Sequence, residues 1–294
     1  MQYYLNFEND TQTIDFNKLL IRFIDQALEE DIGPGDLTSD AVLGSSSSSM
    51  AYILVKENAV LAGIELAKII FERIDPSIVF SSIASDGTIV SPGTKVATLN
   101  GPIHSLLKGE RLVLNCLQRM SGIATKTKIF ADKAFGAGVT ILDTRKTTPN
   151  FRICEKWAVS IGGAKNHRYA LYDQILIKDN HIKFVGGIKQ ALDNLVSYLS
   201  SIEKSIPVVV EVKNEEEFAL AIQYDAVTRI LMDNFKPDEI TSIVRRYSFT
   251  QKLEASGGIN QENFESFLHS GIHYLSIGDL THHVNAVDIS LKID

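Results

Sequence analysis

The chain of 294 residues is long enough for one barrel-sized unit plus a smaller companion and for a substantial core. Hydrophobic residues make up 45% and charged residues 22%, the composition of an ordinary globular protein. A net charge of −7 excludes a global basic footprint for nucleic acid, so any local cluster of cations has to be held against the overall trend.

The opening text MQYYLNFENDTQTIDF has no basic region ahead of an apolar run. No apolar stretch reaches the roughly 18 residues of a membrane span. A cytoplasmic protein is expected. Cys116 and Cys154 sit in dissimilar contexts without CxxC spacing, which predicts buried, reduced thiols.

Residues 16–28 carry helical periodicity, with Leu19, Leu20, Ile24 and Leu28 on one face. The text EEDIGPGDLTSD that follows reads as a loop rich in Gly, Pro and Asp. The serine run at residues 45–49 reads as a flexible hairpin tip. A strand is expected over 50–55, a helix over 66–74, and two short strands over 88–99 around the Ser91-Pro92-Gly93 turn. Residues 104–130 read as long helical material broken near Ser121-Gly122.

After about residue 138 the character changes. Short apolar runs recur at residues 139–142, 175–177, 208–210, 230–232, 253–255 and 274–277. Helical stretches at 188–199, 215–223, 237–246 and 260–268 separate several of them. Apolar strands alternating with helices predict a parallel sheet covered by helices. The fold class is therefore α/β, with an irregular barrel of six to seven strands. A doubly wound open sheet is the alternative, but no GxGxxG follows a first strand.

Each apolar run ends in polar residues or glycine. Asp143, Thr144, Arg145 and Lys146 follow the first, and Lys178, Asp179, Asn180 and His181 the second. Glu211 and Lys213 come with the third, Asp233 and Asn234 with the fourth, Ser256-Gly257-Gly258 with the fifth, and Gly278-Asp279 with the sixth. Barrel enzymes carry their chemistry at the C-terminal ends of the strands. Arg145, Lys146, His167, Arg168 and Lys178 would repel one another at one barrel mouth unless anions occupied it. Arginine forks suit a carboxylate or phosphate. Glycine admits a backbone N–H close to an oxyanion, so Ser256-Gly257-Gly258 and Gly278 read as phosphate features aided by a following helix N-terminus. Glu211 and Asp233 stand opposite the cations, either to accept hydrogen bonds from a sugar diol or to hold a divalent cation. Trp157 reads as packing. His282-His283 lacks zinc-site spacing, and GxSxG, HExxH and P-loop motifs are absent.

At these residues the sequence resembles the quinolinate phosphoribosyltransferases, also called nicotinate-nucleotide pyrophosphorylases (carboxylating). The matching text includes EDIGPGDLTSDAV at 30–42, GERLVLNCLQRMSGIAT at 109–125 and DTRKTTPNFRICEKWAVSIGGAKNHRYALYDQILIKDNHI at 143–182. It continues with VEV around Glu211, LMDNF around Asp233, EASGGI around Ser256 and SIGDLTHHVNAVDISLKI at the end. The resemblance implies the reaction of quinolinate with 5-phosphoribosyl-1-diphosphate to nicotinate mononucleotide, pyrophosphate and carbon dioxide, with magnesium, in de novo NAD synthesis. It implies an N-terminal α/β sandwich domain at 1–117 completed by the tail 280–294, and a catalytic α/β barrel at 118–279. It also implies a homodimer or larger homo-oligomer in which Arg111 reaches the partner's site.

By the same resemblance, Arg145, Lys146, His167, Arg168 and Lys178 hold quinolinate, with Lys178 near both substrates. Glu211 and Asp233 hold the ribose hydroxyls and magnesium, and Ser256, Gly257, Gly258 and Gly278 cradle the 5-phosphate. Lys146, Lys178, Glu211 and Asp233 form the catalytic set. The chain departs from the family text at Asn150, Ala164, Ala170, Leu112-Val113 and Asp279; the Asp279 carboxylate is expected to point away from the phosphate. Rival readings are a molybdenum-operon paralogue of the same family, a Schiff-base aldolase using Lys178, and a non-enzymatic anion-binding protein.

Overall fold

Helix α1 (Phe16–Ile32) begins where the Asp15 side chain accepts the Lys18 N–H at 3.0 Å, and its apolar face buries Leu20 and Ile24. It runs past the expected end at residue 28. The expected loop that follows is shorter than the text suggested, because Asp36 accepts the N–H groups of Thr38 and Ser39 and starts helix α2 (Leu37–Val42). In this computed structural model the described residues are 5, 7, 14–43 and 48–293. The hairpin-tip reading of the serine run lies outside them at residues 45–47, whereas Ser48 and Ser49 already belong to a strand.

Strand β1 (Ser48–Val55) alternates in burial, with Ala51, Ile53 and Val55 inward. A two-residue strand, β2 (Ala59–Val60), leads to helix α3 (Ile64–Ile74), followed by β3 (Val79–Ser82), β4 (Ile89–Val90) and β5 (Lys95–Pro102). β4 and β5 flank the expected Ser91-Pro92-Gly93 turn but take different partners. β4 pairs antiparallel with β2, and β5 lies between β1 and β3.

Helix α4 (Ile103–Phe135) has 33 residues and is about 50 Å long at 1.5 Å per residue. It continues through Ser121-Gly122, where a break was expected. Both residues serve close approach. The Ser121 hydroxyl exchanges hydrogen bonds with the backbone of Ala62. A Cβ at Gly122 would strike the Asn285 carbonyl. Small residues in a helix admit a neighbouring backbone as readily as they end the helix.

The second half begins with β6 (Thr140–Leu142) and α5 (Arg152–Ile161), then β7 (Ile175–Ile177), α6 (Asp179–Phe184) and α7 (Ile188–Ser200). β8 (Val208–Val212), α8 (Glu215–Ala221), β9 (Arg229–Asp233), α9 (Pro237–Arg246) and β10 (Lys252–Ser256) follow. The chain closes with β11 (Tyr274–Ser276), the one-turn α10 (Asp279–His282) and β12 (Ile289–Ile293). The six expected strands form one parallel sheet in the order β6-β11-β10-β9-β8-β7. Lys165 extends this barrel-like sheet beyond β6 through a parallel bridge to Leu142.

The helix expected over 260–268 is instead a short 3₁₀ turn at Phe264–Phe267. Asn260 and Asn263 side chains take up the N–H groups of Glu262 and Asn260, and Asn263 Nδ2 donates to the Gly258 carbonyl. These local bonds compete with helix formation.

β12 pairs antiparallel with β1, so the four-stranded sheet runs β12-β1-β5-β3. α4 secures this tail as well, since the Gln118 carbonyl accepts the Val287 N–H and Gln118 Nε2 donates to the Ile289 carbonyl. The structure is thus an α/β protein with an antiparallel sheet formed by its early strands and its last one, and a parallel barrel-like unit in between.

Candidate active site

A cavity of about 850 Å³ opens at the C-terminal ends of the parallel strands. Arg145, Lys146, His167, Arg168 and Lys178 all line it, as do Glu211, Asp233, Ser256, Gly257, Gly258 and Gly278. Among the expected site residues, Arg111 does not: it lies exposed on α4, away from the cavity of its own chain. Leu176 and Leu231 supply an apolar floor and form a small cluster with Val209 inside the sheet.

The cationic side is assembled on a buried ionic frame. Asp143, at the end of β6, accepts from Lys156 Nζ at 2.5 Å, Asn166 Nδ2 at 2.8 Å and the His167 N–H at 2.8 Å. All four residues are buried. Glu155, also buried, receives Arg119 from α4 and the Thr148 N–H, which fixes the loop after Lys146. Asn150 takes φ +61°, a region asparagine tolerates better than most residues.

Arg168 is buried, donates Nη1 to the Gln174 carbonyl at 3.2 Å, and leaves Nε without a partner. Burial and the neighbouring Arg145 both push the Arg168 guanidinium below its usual range. The cluster therefore has a surplus of positive charge to offer an anion. His167 lines the cavity as expected, with one ring nitrogen hydrogen-bonded inside the protein. Nδ1 accepts the Arg168 N–H at 2.7 Å, and Nε2 lies 3.4 Å from Glu254 Oε1.

The opposite side carries Glu211 and Asp233. Burial and the charge of Asp233 push the Glu211 carboxyl up. Burial likewise raises Asp233, with Lys178 working against it. Lys178 Nζ stands 3.9 Å from Glu211 Oε2. Lys213 pairs with Asp179 at 2.8 Å rather than with either acid. Two hard carboxylates whose raised pKa values Lys178 only partly offsets suit a divalent cation.

Space and conformation explain the glycines. Gly257 has φ +100°, and a Cβ there would collide with the Asn234 side chain. Gly278 has an ordinary φ of −67° and is needed for space, because the Lys146 side chain crosses its Cα face. Lys146 is held in turn by the Thr281 hydroxyl, which donates to its carbonyl at 2.7 Å. This places one lysine between the cationic side and the glycine turns. A following helix does not back Ser256-Gly257-Gly258, contrary to expectation, because only the 3₁₀ turn comes next. Asp279 sits at the rim with Oδ2 2.6 Å from Lys126 Nζ and Oδ1 3.3 Å from His283 Nδ1. Asp279, His282 and His283 form a compact group of metal-type ligand atoms that the His-His spacing alone did not suggest, with the Lys126 ammonium already on the carboxylate.

Sequence reasoning passed over Glu254, Ser276 and Lys156. Their signal was a charge or hydroxyl inside an otherwise apolar buried element, as in KLEAS of β10 and ICEKWAV of α5. Trp157 packs edge-on against Phe16, as expected.

Fold and site together define an α/β barrel-like protein with a cation-lined cavity at its strand ends. The model of the quinolinate phosphoribosyl transferase C-terminal domain matches residues 123–292, and that of the N-terminal domain matches residues 36–121. The chain is 42% identical over 286 residues to "Quinolinate phosphoribosyltransferase [decarboxylating] 1" of Nicotiana glauca, covering 92% of this chain and 81% of that one. It is 40% identical over 287 residues to a chloroplastic nicotinate-nucleotide pyrophosphorylase (carboxylating) of Arabidopsis thaliana, covering 91% and 81%. The solved nicotinate-nucleotide pyrophosphorylase of Francisella tularensis superposes with a TM-score of 0.86 at 32% identity, covering 97% of this chain and 99% of that one. The chain belongs to the quinolinate phosphoribosyltransferase family. Among the described residues, no helix is long and apolar enough to cross a membrane.

Proposed function

We infer that the protein transfers the phosphoribosyl group of 5-phosphoribosyl-1-diphosphate to quinolinate with decarboxylation, in NAD biosynthesis. The products are nicotinate mononucleotide, pyrophosphate and carbon dioxide. The observation that carries this reading is the convergence of Arg145, Lys146, Arg168 and Lys178 on one cavity, faced by two carboxylates. A dicarboxylate ring fits such a donor set above the Leu176–Leu231 floor.

In this reading Arg145, Arg168 and Lys146 hold the two carboxylates of quinolinate. The ring nitrogen attacks the anomeric carbon, and the bond to the diphosphate breaks with its electron pair leaving on oxygen. Lys146 and Lys178 stabilise charge as it develops there. Glu211 and Asp233 orient the ribose hydroxyls, and the Ser256-Gly257-Gly258 turn and Gly278 admit the 5-phosphate. Loss of carbon dioxide leaves its bond electrons on ring C2, stabilised by the adjacent cationic nitrogen, and C2 then takes up a proton. No covalent enzyme intermediate is required, and positioning does most of the work.

Glu211 and Asp233 would hold magnesium, directly or through water, which fits their hard oxygens and raised pKa values. Bound there, the ion supplies charge neutralisation to the diphosphate. We divide the chain into a domain at 1–117 completed by 280–294 and a catalytic domain at 118–279. We also infer a homodimer or larger assembly with Arg111 crossing to the partner's cavity, supported by the exposure of Arg111 and its absence from its own cavity. A cytoplasmic location belongs to the same reading, supported by the buried free thiols of Cys116 and Cys154.

The direct assay mixes protein, quinolinate, phosphoribosyl diphosphate and magnesium, and follows nicotinate mononucleotide and carbon dioxide. Turnover of nicotinic acid with none of quinolinate overturns the carboxylating assignment. For the assembly, Arg111→Ala and Lys146→Ala are each expected to retain about 1% of wild-type activity or less alone. Mixed subunits should recover roughly a quarter of wild-type activity, because half of random dimers then contain one intact site. No recovery after verified subunit exchange removes Arg111 from the partner's site.

A further inference from the structure

We propose that Asp279, His282 and His283 form a binding site for a zinc-class divalent ion at the rim of the cavity, with one coordination position open to an oxyanion. The text GDLTHH shows two adjacent histidines, too few ligands for a site by themselves. The single turn of α10 changes that, because it brings the carboxylate at position i beside the imidazoles at i+3 and i+4. One ligand atom from each of the three side chains lies within 4.8 Å of the others. Among the described residues, no other three His, Cys, Asp or Glu side chains converge in this way.

The closest pair already has the spacing of a metal chelate. Asp279 Oδ1 and His283 Nδ1 are 3.3 Å apart. Two ligands on a tetrahedral ion, with bonds of about 2.0–2.1 Å, stand roughly 3.4 Å apart. His282 completes the set after a side-chain movement on the order of 1 Å, which its exposure allows. Behind the ligands, Lys126 of α4 fixes the frame. Its Nζ lies 2.6 Å from Asp279 Oδ2 and donates to the His283 carbonyl at 2.7 Å, so it grips both ends of the turn. This leaves Oδ1 as the ligand oxygen, and metal-bound carboxylates are commonly held by such an outer donor. The Thr281 hydroxyl ties the middle of the turn to the Lys146 carbonyl at 2.7 Å.

The donor set selects the ion. Two imidazoles and one carboxylate suit zinc, nickel or cobalt, whereas magnesium prefers an all-oxygen shell and keeps several waters. The group is chemically distinct from Glu211 and Asp233, which line the same cavity. Three protein ligands leave a tetrahedral ion one open position. Asp279, His282 and His283 all line the cavity, and a Cβ on Gly278 would meet both the His282 ring and the Lys146 side chain. The open position therefore borders the space that Lys146 lines, and an oxygen of a phosphate-type anion is its fourth ligand. Ion and anion then favour each other's binding reciprocally.

Chelator-treated full-length protein is titrated with cobalt(II) in excess magnesium, since the visible absorption of cobalt distinguishes four-coordinate from six-coordinate ions. One four-coordinate cobalt per chain is expected, displaced by zinc and not by magnesium. His283→Ala and Asp279→Ala should each weaken its binding by at least about tenfold, and Glu211→Gln should leave it unchanged. Should Asp279→Ala not fold, having lost its Lys126 pair, His283→Ala carries the test, because that ring is exposed. Inorganic phosphate should shift the cobalt spectrum and bind about fivefold or more tightly to the loaded protein than to the chelator-treated one. A six-coordinate ion displaced by magnesium overturns the proposal. So does binding that survives His283→Ala and disappears in Glu211→Gln, or no bound cobalt at all, which leaves Asp279 and His283 as a plain ion pair. A cobalt spectrum indifferent to phosphate removes the open position from the cavity. Cobalt and phosphate are the only probes, so a protein inert towards quinolinate would sink the functional reading and leave each of these outcomes decisive.

Discussion

On one side of the cavity two buried carboxylates face buried cations, Asp143 after β6 with Lys156 at 2.5 Å and Glu254 of β10 with Arg229 at 3.0 Å. On the β8–β9 side, Glu211 and Asp233 are pushed up by burial, and Lys178 comes no closer to Glu211 than 3.9 Å. The first side is completed by the protein itself and offers spare guanidinium and ammonium groups to an anion. The second is left negative and strained, which is how a site waits for a cation and a polyol. The same residue type thus acts as scaffold on one side and as site on the other, according to whether the fold supplies its counter-charge.

The strongest way to break this contrast is Lys156→Met. It leaves Asp143 buried without its cation, with an expected loss of about 3–5 kcal/mol in chemical denaturation. A loss below about 1 kcal/mol would show that the frame is not ionic. Lys146→Ala and Arg168→Ala come next. Each should lower kcat/KM by roughly 10²–10³, the size typical of losing one charge-stabilising donor, with the fold intact by circular dichroism. Turnover near wild type in both would remove the cationic side from the chemistry.

A further carboxylate, in the other sheet region, sharpens the comparison. Asp86 caps α3 by accepting the N–H groups of Gly63 and Ile64 at 2.7 and 2.8 Å, with Oδ2 unpartnered. Burial outweighs these amide donors and raises it to about 6. Its folded pKa lies above the unfolded value near 3.8, so the folded state binds this proton more tightly. The contribution of Asp86 to stability is full below pH 3.8 and is lost as pH rises through about 6. Asp86→Asn should flatten that window and stabilise the protein at pH 7 by on the order of 1–2 kcal/mol. That is less than the full linkage, because the amide gives up the carboxylate's attraction to the helix N-terminus. A pH-stability profile identical to wild type would contradict it. The smallest effect is expected at Glu211→Gln. Removing one of two repelling carboxylates should raise stability by roughly 0.5–1 kcal/mol while impairing turnover, the reverse of the loss at Lys156. A destabilised variant would mean that Glu211 is scaffold.

Much of this contrast was legible residue by residue. The six parallel strands follow from short apolar runs spaced by helices, and the polar groups after them mark the barrel mouth. The glycine at 278 was legible as a site feature, though its cause proved to be the passage of Lys146. The continuity of α4 was hidden, because Ser121-Gly122 signals a break locally and a close contact with Ala62 and Asn285 only in three dimensions. The missing helix after Gly258 was hidden too, since the Asn260 and Asn263 side chains override an otherwise helical pattern.

By itself, then, the sequence determined the alternation of elements and the identity of the charged groups at the strand ends, because periodicity and strand-end placement are local properties of the chain. Only the tertiary structure decided which of those groups are free. His167 reads as one more cation beside Arg168, yet Asp143 and Lys156 take its backbone N–H and carbonyl, and its Nδ1 accepts the Arg168 N–H. Arg168 lines the same cavity with a guanidinium whose Nη1 bonds to the Gln174 carbonyl. Whether a polar group is consumed by the fold or left for a ligand depends on partners distant in sequence, and those are set by packing.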